Sequence, residues 1–88
     1  MKDVEKQMKA LANRRRLAII MYLKKTKEAM VGDIAEEITL SFKATSKHLG
    51  ILYSAGILEK DQRSLAIYYR LASAQHKATR SVIAALSK

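Results

Sequence analysis

The sequence predicts a mainly α-helical domain with a small β-hairpin in its C-terminal third, on three observations. Apolar residues recur at three- and four-residue spacing at Val4, Met8 and Leu11, at Ile34, Ala35 and Ile38, and at Leu49 and Leu52, the period of half-buried helices. After Gly56 the pattern changes to period two, with Ile67, Tyr69 and Leu71 alternating with Ala66, Tyr68 and Arg70, a run rich in strand formers. There is no proline, and glycine occurs only at 32, 50 and 56, so a flexible linker is not expected. The 88 residues are read as one domain, 1–88. A chain of this size buries only about 60–65% of its unfolded surface, so self-association would add stability.

Residues Lys2–Ala12 form a short amphipathic helix, with Val4, Met8 and Leu11 on one face and Lys2, Lys6 and Lys9 elsewhere. Asn13 is an N-cap for a second helix that opens on Arg14, Arg15 and Arg16. Cations oppose the helix dipole at that end. Either solvent tolerates them or a nearby phosphate offsets them, and the two readings stand level. Leu17–Leu23 is apolar on every side. With Asn13 before it and Lys24-Lys25 after it, the segment reaches helical length and becomes the central core element. A polar connection, Lys24–Ala29, leads to a short strand at Met30-Val31 and a third helix, Gly32–Ile38. Asp33, Glu36 and Glu37 are read as charge compensation near that helix's start rather than as paired catalytic carboxylates.

Thr39-Leu40 is a tight turn into a fourth helix, Ser41–Ala55, so the third and fourth helices read as helix-turn-helix. Ser41 is its N-cap candidate. Thr45, His48, Leu49 and Leu52 line one side, and Lys43, Ser46, Lys47 and Gly50 the other. No Asp or Glu occurs between Glu37 and Glu59. A short acid-free helix with Phe42, Lys43, Thr45, Ser46 and Lys47 crowded at its start suits a DNA major groove, where Lys reaches phosphate or guanine and hydroxyls reach base edges. Gly56 closes the helix in the left-handed conformation and folds Ile57 back on Leu52. Ile57–Asp61 pairs with Leu65–Leu71 across Gln62-Arg63-Ser64, with Tyr69 inward and Tyr68 on the outer face. Ser73 caps a last helix, Ala74–Ser87, carrying Ala78, Val82, Ala85 and Leu86 on one side.

Lys and Arg number 17 against 8 Asp and Glu, a net charge of +9, which favours a polyanionic partner. A membrane is not that partner, since the apolar run Leu17–Leu23 falls far short of the roughly 20 residues that span a bilayer. The N-terminus has no apolar leader, and the absence of cysteine removes disulfides and thiolate metal sites. The simplest setting is cytoplasmic. No group orients His48 beside Ser46 for catalysis and no glycine-rich oxyanion loop occurs, so no catalytic residue and no enzyme is expected. His48 is read as a half-buried, hydrogen-bonded ring at the helix-turn-helix corner.

The order helix, helix, helix-turn-helix, hairpin, helix is that of a winged helix-turn-helix with helical extensions at its N- and C-terminal ends, the candidate dimerisation helices. The segments L-A-N-R-R-R-L (11–17), D-I-A-E-E-I (33–38), L-S-x-K-A-T-S-K-H-L-x-x-L (40–52), A-G-I-L (55–58) and I-Y-Y-R-L (67–71) resemble the ArsR/SmtB family of bacterial and archaeal transcriptional repressors. The resemblance implies a homodimer joined through its first and last helices, and a recognition surface at Phe42, Lys43, Thr45, Ser46 and Lys47. Together with Ser41 at the start of the same helix, Lys60 and Arg63 on the wing, and Arg14 and Arg15 at the flank, these make the candidate contacts to double-stranded DNA. Arg63 is expected at the hairpin tip, reaching a phosphate or the minor groove. The dimer candidates are Val4, Met8, Leu11, Val82, Ala85 and Leu86; completing the monomer core is the competing role for the first three.

Where the family's metal sensors carry paired cysteines, this chain has Met30-Val31-Gly32-Asp33. Ala74 precedes His76 where others have a carboxylate, and no later histidine follows. No metal site and no cofactor is therefore expected, and no inducer is indicated. Gly50 and Tyr53 stand where the family often has basic residues. A glycine inside a helix costs roughly 1 kcal/mol against alanine; Gly50 either admits a close backbone approach or is incidental. The leading reading is a sequence-specific repressor on a palindromic operator. A winged module for RNA or a protein, and a non-specific DNA coat, are its alternatives.

Overall fold

Asn13 sets the start of the central helix. In the computed structural model, which describes residues 2–86, its side-chain oxygen accepts hydrogen bonds from the amides of Arg15 (2.9 Å) and Arg16 (3.1 Å). The elements are α1 (Lys2–Leu11), α2 (Arg14–Thr26), β1 (Ala29–Met30), α3 (Val31–Ile38), α4 (Phe42–Ser54), β2 (Leu58–Arg63), β3 (Ala66–Leu71) and α5 (Lys77–Ala85). Ile19, Ile20 and Leu23 of α2 are buried at the centre of the core, while Met21 is exposed. The apolar run is thus covered on most sides and open on one.

The turn between α3 and α4 is made by Thr39, which is left-handed at φ 56 and ψ 56. Its neighbour Leu40 donates back to Ala35 O at 3.0 Å. Ser41 then caps α4, its hydroxyl accepting from Ala44 N at 3.0 Å. At the other end Gly56 takes φ 81, with Gly56 N to Tyr53 O and Ile57 N to Leu52 O both 3.0 Å. That is a Schellman closure, and Leu52 and Ile57 are both buried beside it.

The sheet has three antiparallel strands in the order β1-β3-β2 rather than two. The short strand lies one residue earlier than expected, at Ala29–Met30, and pairs Ala29 with Tyr69 and Met30 with Tyr68. The hairpin is also tighter than expected. Pairing runs out to Arg63 opposite Ala66, so the turn is Ser64-Leu65, made possible by Ser64 at φ 59. Tyr69 is buried and Tyr68 only partly so, as the alternation requires.

The last helix begins at Lys77, not Ala74, because the backbone before it is held elsewhere. Gln75 Nε2 donates to Ile57 O and Ala72 O, each at 2.9 Å, and Ser73 N donates to Glu59 at 3.2 Å. His76 supplies the cap instead of Ser73, its Nδ1 accepting from Ala78 N at 3.0 Å. Ser87, the expected end of this helix, lies outside the described residues. Lys24 Nζ donates to the terminal carbonyls of Ile83 and Leu86 at 2.7 Å, fastening α5 to α2.

Candidate nucleic-acid interface

The start of α4 presents a cationic and aromatic surface. Phe42 is 63% exposed, Ser41, Lys43 and Lys47 are exposed, and Ser46 is half-buried. Neither lysine has an ion-pair partner among the described residues. Thr45 corrects the expectation. It is 0% exposed, one turn before Leu49 on the inward stripe, and its hydroxyl is buried without a hydrogen-bond partner among the described residues. A side chain there meets the core and not a groove.

The three arginines of α2 divide. Arg14 is exposed and Arg15 half-exposed, whereas Arg16 is built into the fold. Its Nε donates to Ala10 O at 2.5 Å, and its Nη1 lies 3.1 Å from His48 Nδ1. Arginine only donates, so Nδ1 accepts and the imidazole is neutral with its proton on Nε2. Burial, then the charges of Arg16, Arg15 and Lys47, push the His48 pKa below its ordinary value. His48 is half-buried and hydrogen-bonded as expected, but its partner comes from the start of α2, so it joins α2 to α4.

The wing differs from the expectation. Arg63 is not the tip residue, and its guanidinium is already engaged. Nη1 and Nη2 reach the two Glu28 oxygens at 2.7 and 2.9 Å, and Nε reaches Asp61 at 3.0 Å. The guanidinium also stacks 4.4 Å from the Tyr68 ring centroid. Hydrogen bonding to Arg63 lowers the Glu28 pKa, and the same bonds raise that of Arg63. Lys60, exposed, sits 4.3 Å from the Tyr53 ring centroid, and Arg70 pairs with Glu59 at 3.3 Å. The tip is Leu65, 98% exposed.

Among the interface candidates, Leu11 is corrected outright: at 4% exposure it belongs to the monomer core. Met8, Val82 and Leu86 are half-buried against that core; Val4 is half-buried and Ala85 exposed. The first and last helices already pack on one another within one chain. Thr79 Oγ1 donates to Gln7 Oε1, and Gln7 Nε2 donates to Ala55 O at 2.9 Å. Gln7 and Thr79, both buried, carried no periodic signal that would have singled them out.

No helix among the described residues is long and apolar enough to cross a membrane. Residues 13–60, more than half of the chain, match the family model described as bacterial regulatory protein, arsR family. The chain is 35% identical over 71 residues to the transcriptional activator HlyU of Vibrio cholerae, covering 81% of this chain and 65% of that one. It thus spans just under two thirds of that relative's length. The HlyU structure superposes with a TM-score of 0.82 at 29% identity, covering 97% of this chain and 88% of that one. A Mycobacterium bovis protein, Mb0332, solved as a homodimeric winged helix-turn-helix DNA-binding domain, gives 0.78 at 30% identity, with 97% and 75% covered. The transcriptional repressor PagR of Bacillus anthracis gives 0.80 at 26% identity, with 97% and 93% covered.

Proposed function

Because the chain belongs to the arsR family of bacterial regulatory proteins, we propose that it is a homodimeric repressor that reads a palindromic DNA operator, without a metal, a cofactor or catalytic chemistry. The observation that carries this reading is the surface of α4. Phe42, Lys43 and Lys47 are exposed on a helix whose sequence from Thr39 to Leu58 holds no acid. Ser41 and Ser46 add hydroxyls for base edges, and Arg14 and Arg15 flank the helix at the α2 start, within reach of the same phosphate strand.

A two-fold pairing through α1 and α5, with Val4, Met8, Val82, Ala85 and Leu86 at the contact, presents two such helices to successive major grooves. Half-sites then lie about one turn apart, roughly 10–10.5 base pairs centre to centre, or a multiple of it. Repression follows from occupancy alone, as a dimer seated across a promoter excludes the polymerase. PagR is a repressor and HlyU an activator, so the sign is itself tested.

Selection of bound duplexes from random DNA is the deciding experiment. We expect a palindromic consensus bound at least about a thousandfold more tightly than unrelated duplex. Equal affinity for all duplexes would make the protein a DNA coat, and preference for RNA would make it an RNA-binding module. A reporter carrying the selected site should fall on expression of the protein; a rise would make it an activator. Affinity unchanged by zinc or by a chelator is the expected result for a metal-independent protein.

A further inference from the structure

Gly50 lies in the middle of α4, where glycine weakens a helix, yet no packing among the described residues needs its small size. A Cβ built there meets none of their atoms within 4 Å, and the residue is exposed. Gly56, by contrast, is explained by its own φ of 81. Gly50 also sits on the floor of a groove of about 450 Å³ between α1 and α4. Lys6, Lys9, Arg16 and Lys47 line this groove, no carboxylate of the described residues does, and Ile51 and Ser54 continue its floor. Arg16 is fixed in the wall by its bonds to Ala10 and His48. Among the described residues Lys9 is paired only with Glu5, at 3.5 Å on the exposed surface of its own helix, a contact that water and salt readily exchange. Lys47 belongs both to this groove and to the exposed face of α4.

We propose that the groove between α1 and α4 seats the sugar-phosphate strand flanking the recognition half-site, which crosses Gly50 at backbone contact and is held by Lys6, Lys9 and Lys47. The inference rests on the DNA-binding reading above and adds to it a site on α1. Charge selects the occupant: four cations without an acid suit a polyanion. Continuity selects which polyanion, since the groove opens directly onto the helix face that carries Lys43 and Lys47. The missing Cβ sets the distance, because only an occupant touching the helix backbone gains from a glycine there.

The test uses the full chain and a duplex selected by the wild-type protein. Gly50→Ala should raise the melting temperature by about 5 °C, as alanine favours the helix, and at the same time lose roughly tenfold in DNA affinity through overpacking of the contact. Lys6→Gln with Lys9→Gln should keep the fold and the dimer, and reduce the slope of log affinity against log salt by about 2. If Gly50→Ala binds like the wild type, or the slope of the double variant is unchanged, while Lys47→Ala still weakens binding, the groove is empty in the complex and only this inference falls. A change in sedimentation of the double variant would assign the groove to a second copy of the chain and overturn it as well. Recovery of no duplex by the wild type would reject the DNA-binding reading, and the strand site with it.

Discussion

The exposed face of α4 and the β-wing are both rich in basic residues, but they hold them differently. Lys43 and Lys47 extend from a helix without a carboxylate, and no ion pair engages them among the described residues. On the wing, Arg63 is divided between Glu28 and Asp61, Arg70 is paired with Glu59, and Lys60 lies over Tyr53. The net charge of +9 is therefore not spread evenly over what a polyanion would meet. A cation that already has a well-aligned carboxylate must give up that bond to take a phosphate, and a solvated one gives up only water and counterions. Affinity should follow the free charges on α4 and its flank, and the paired charges should hold the wing in shape.

Point variants test that difference directly. The largest effect should come from removing one of the two α4 faces altogether. Ala85 is exposed in the monomer, so Ala85→Glu spares the core and leaves a charge unpaired in the proposed two-fold contact. Sedimentation velocity should report a monomer, and operator affinity should fall by roughly a hundredfold with the loss of the linked second site. A dimer of normal affinity would put the interface elsewhere. Leu86→Glu is a poorer probe, because Leu86 also packs on the core of its own chain.

Next in size, Lys43→Ala and Lys47→Ala should each lower the salt slope by about 1 if they bind phosphate, or lose roughly 1–3 kcal/mol at one base position if they read it. Binding titrations at several salt concentrations separate the two. Arg63→Ala should behave otherwise, loosening the wing while leaving the salt slope as it was. The reciprocal change, Glu28→Gln with Asp61→Asn, releases Arg63 and should steepen the slope by about 1. A loss of slope in Arg63→Ala would show that the wing arginine leaves its carboxylates to bind DNA.

The smallest effect is on pH. His48 has a depressed pKa in the folded state, so the unfolded chain takes up that proton first as the solution is acidified. Its contribution to stability is complete above the ordinary histidine pKa of about 6.5 and is lost as the pH falls from there through the folded value. Thermal melts at about pH 7.5 and 5.5 should differ, and His48→Gln should remove most of the difference. An equal loss in that variant would assign the effect to other groups.

The parts of this fold legible in the sequence are those that a few neighbouring residues decide. Asn13, Ser41 and Gly56 announce helix ends because a cap is made within four residues of itself. The period-two run after Gly56 announced β3 for the same reason. What was not legible depends on partners far along the chain. Arg63 meets Glu28 across 35 positions, and Thr79 meets Gln7 across 72. The start of α5 moved because Gln75 found Ile57, 18 residues away. At the candidate interface, the acid-free α4 could be read directly. Thr45 lies both in the crowded helix start and on the inward stripe, and the stripe prevails.

Gln7 has a consequence beyond holding α1 in place. Its amide grips the end of α4 through Ala55 and the first turn of α5 through Thr79. In a dimer built on α1 and α5, each recognition helix is thereby bolted to the hinge side of the assembly, like the jaw of a caliper to its frame. The gap between the two jaws is then a property of the frame, set before any operator arrives, and a spacer even a base pair too long would have to be met by bending the DNA.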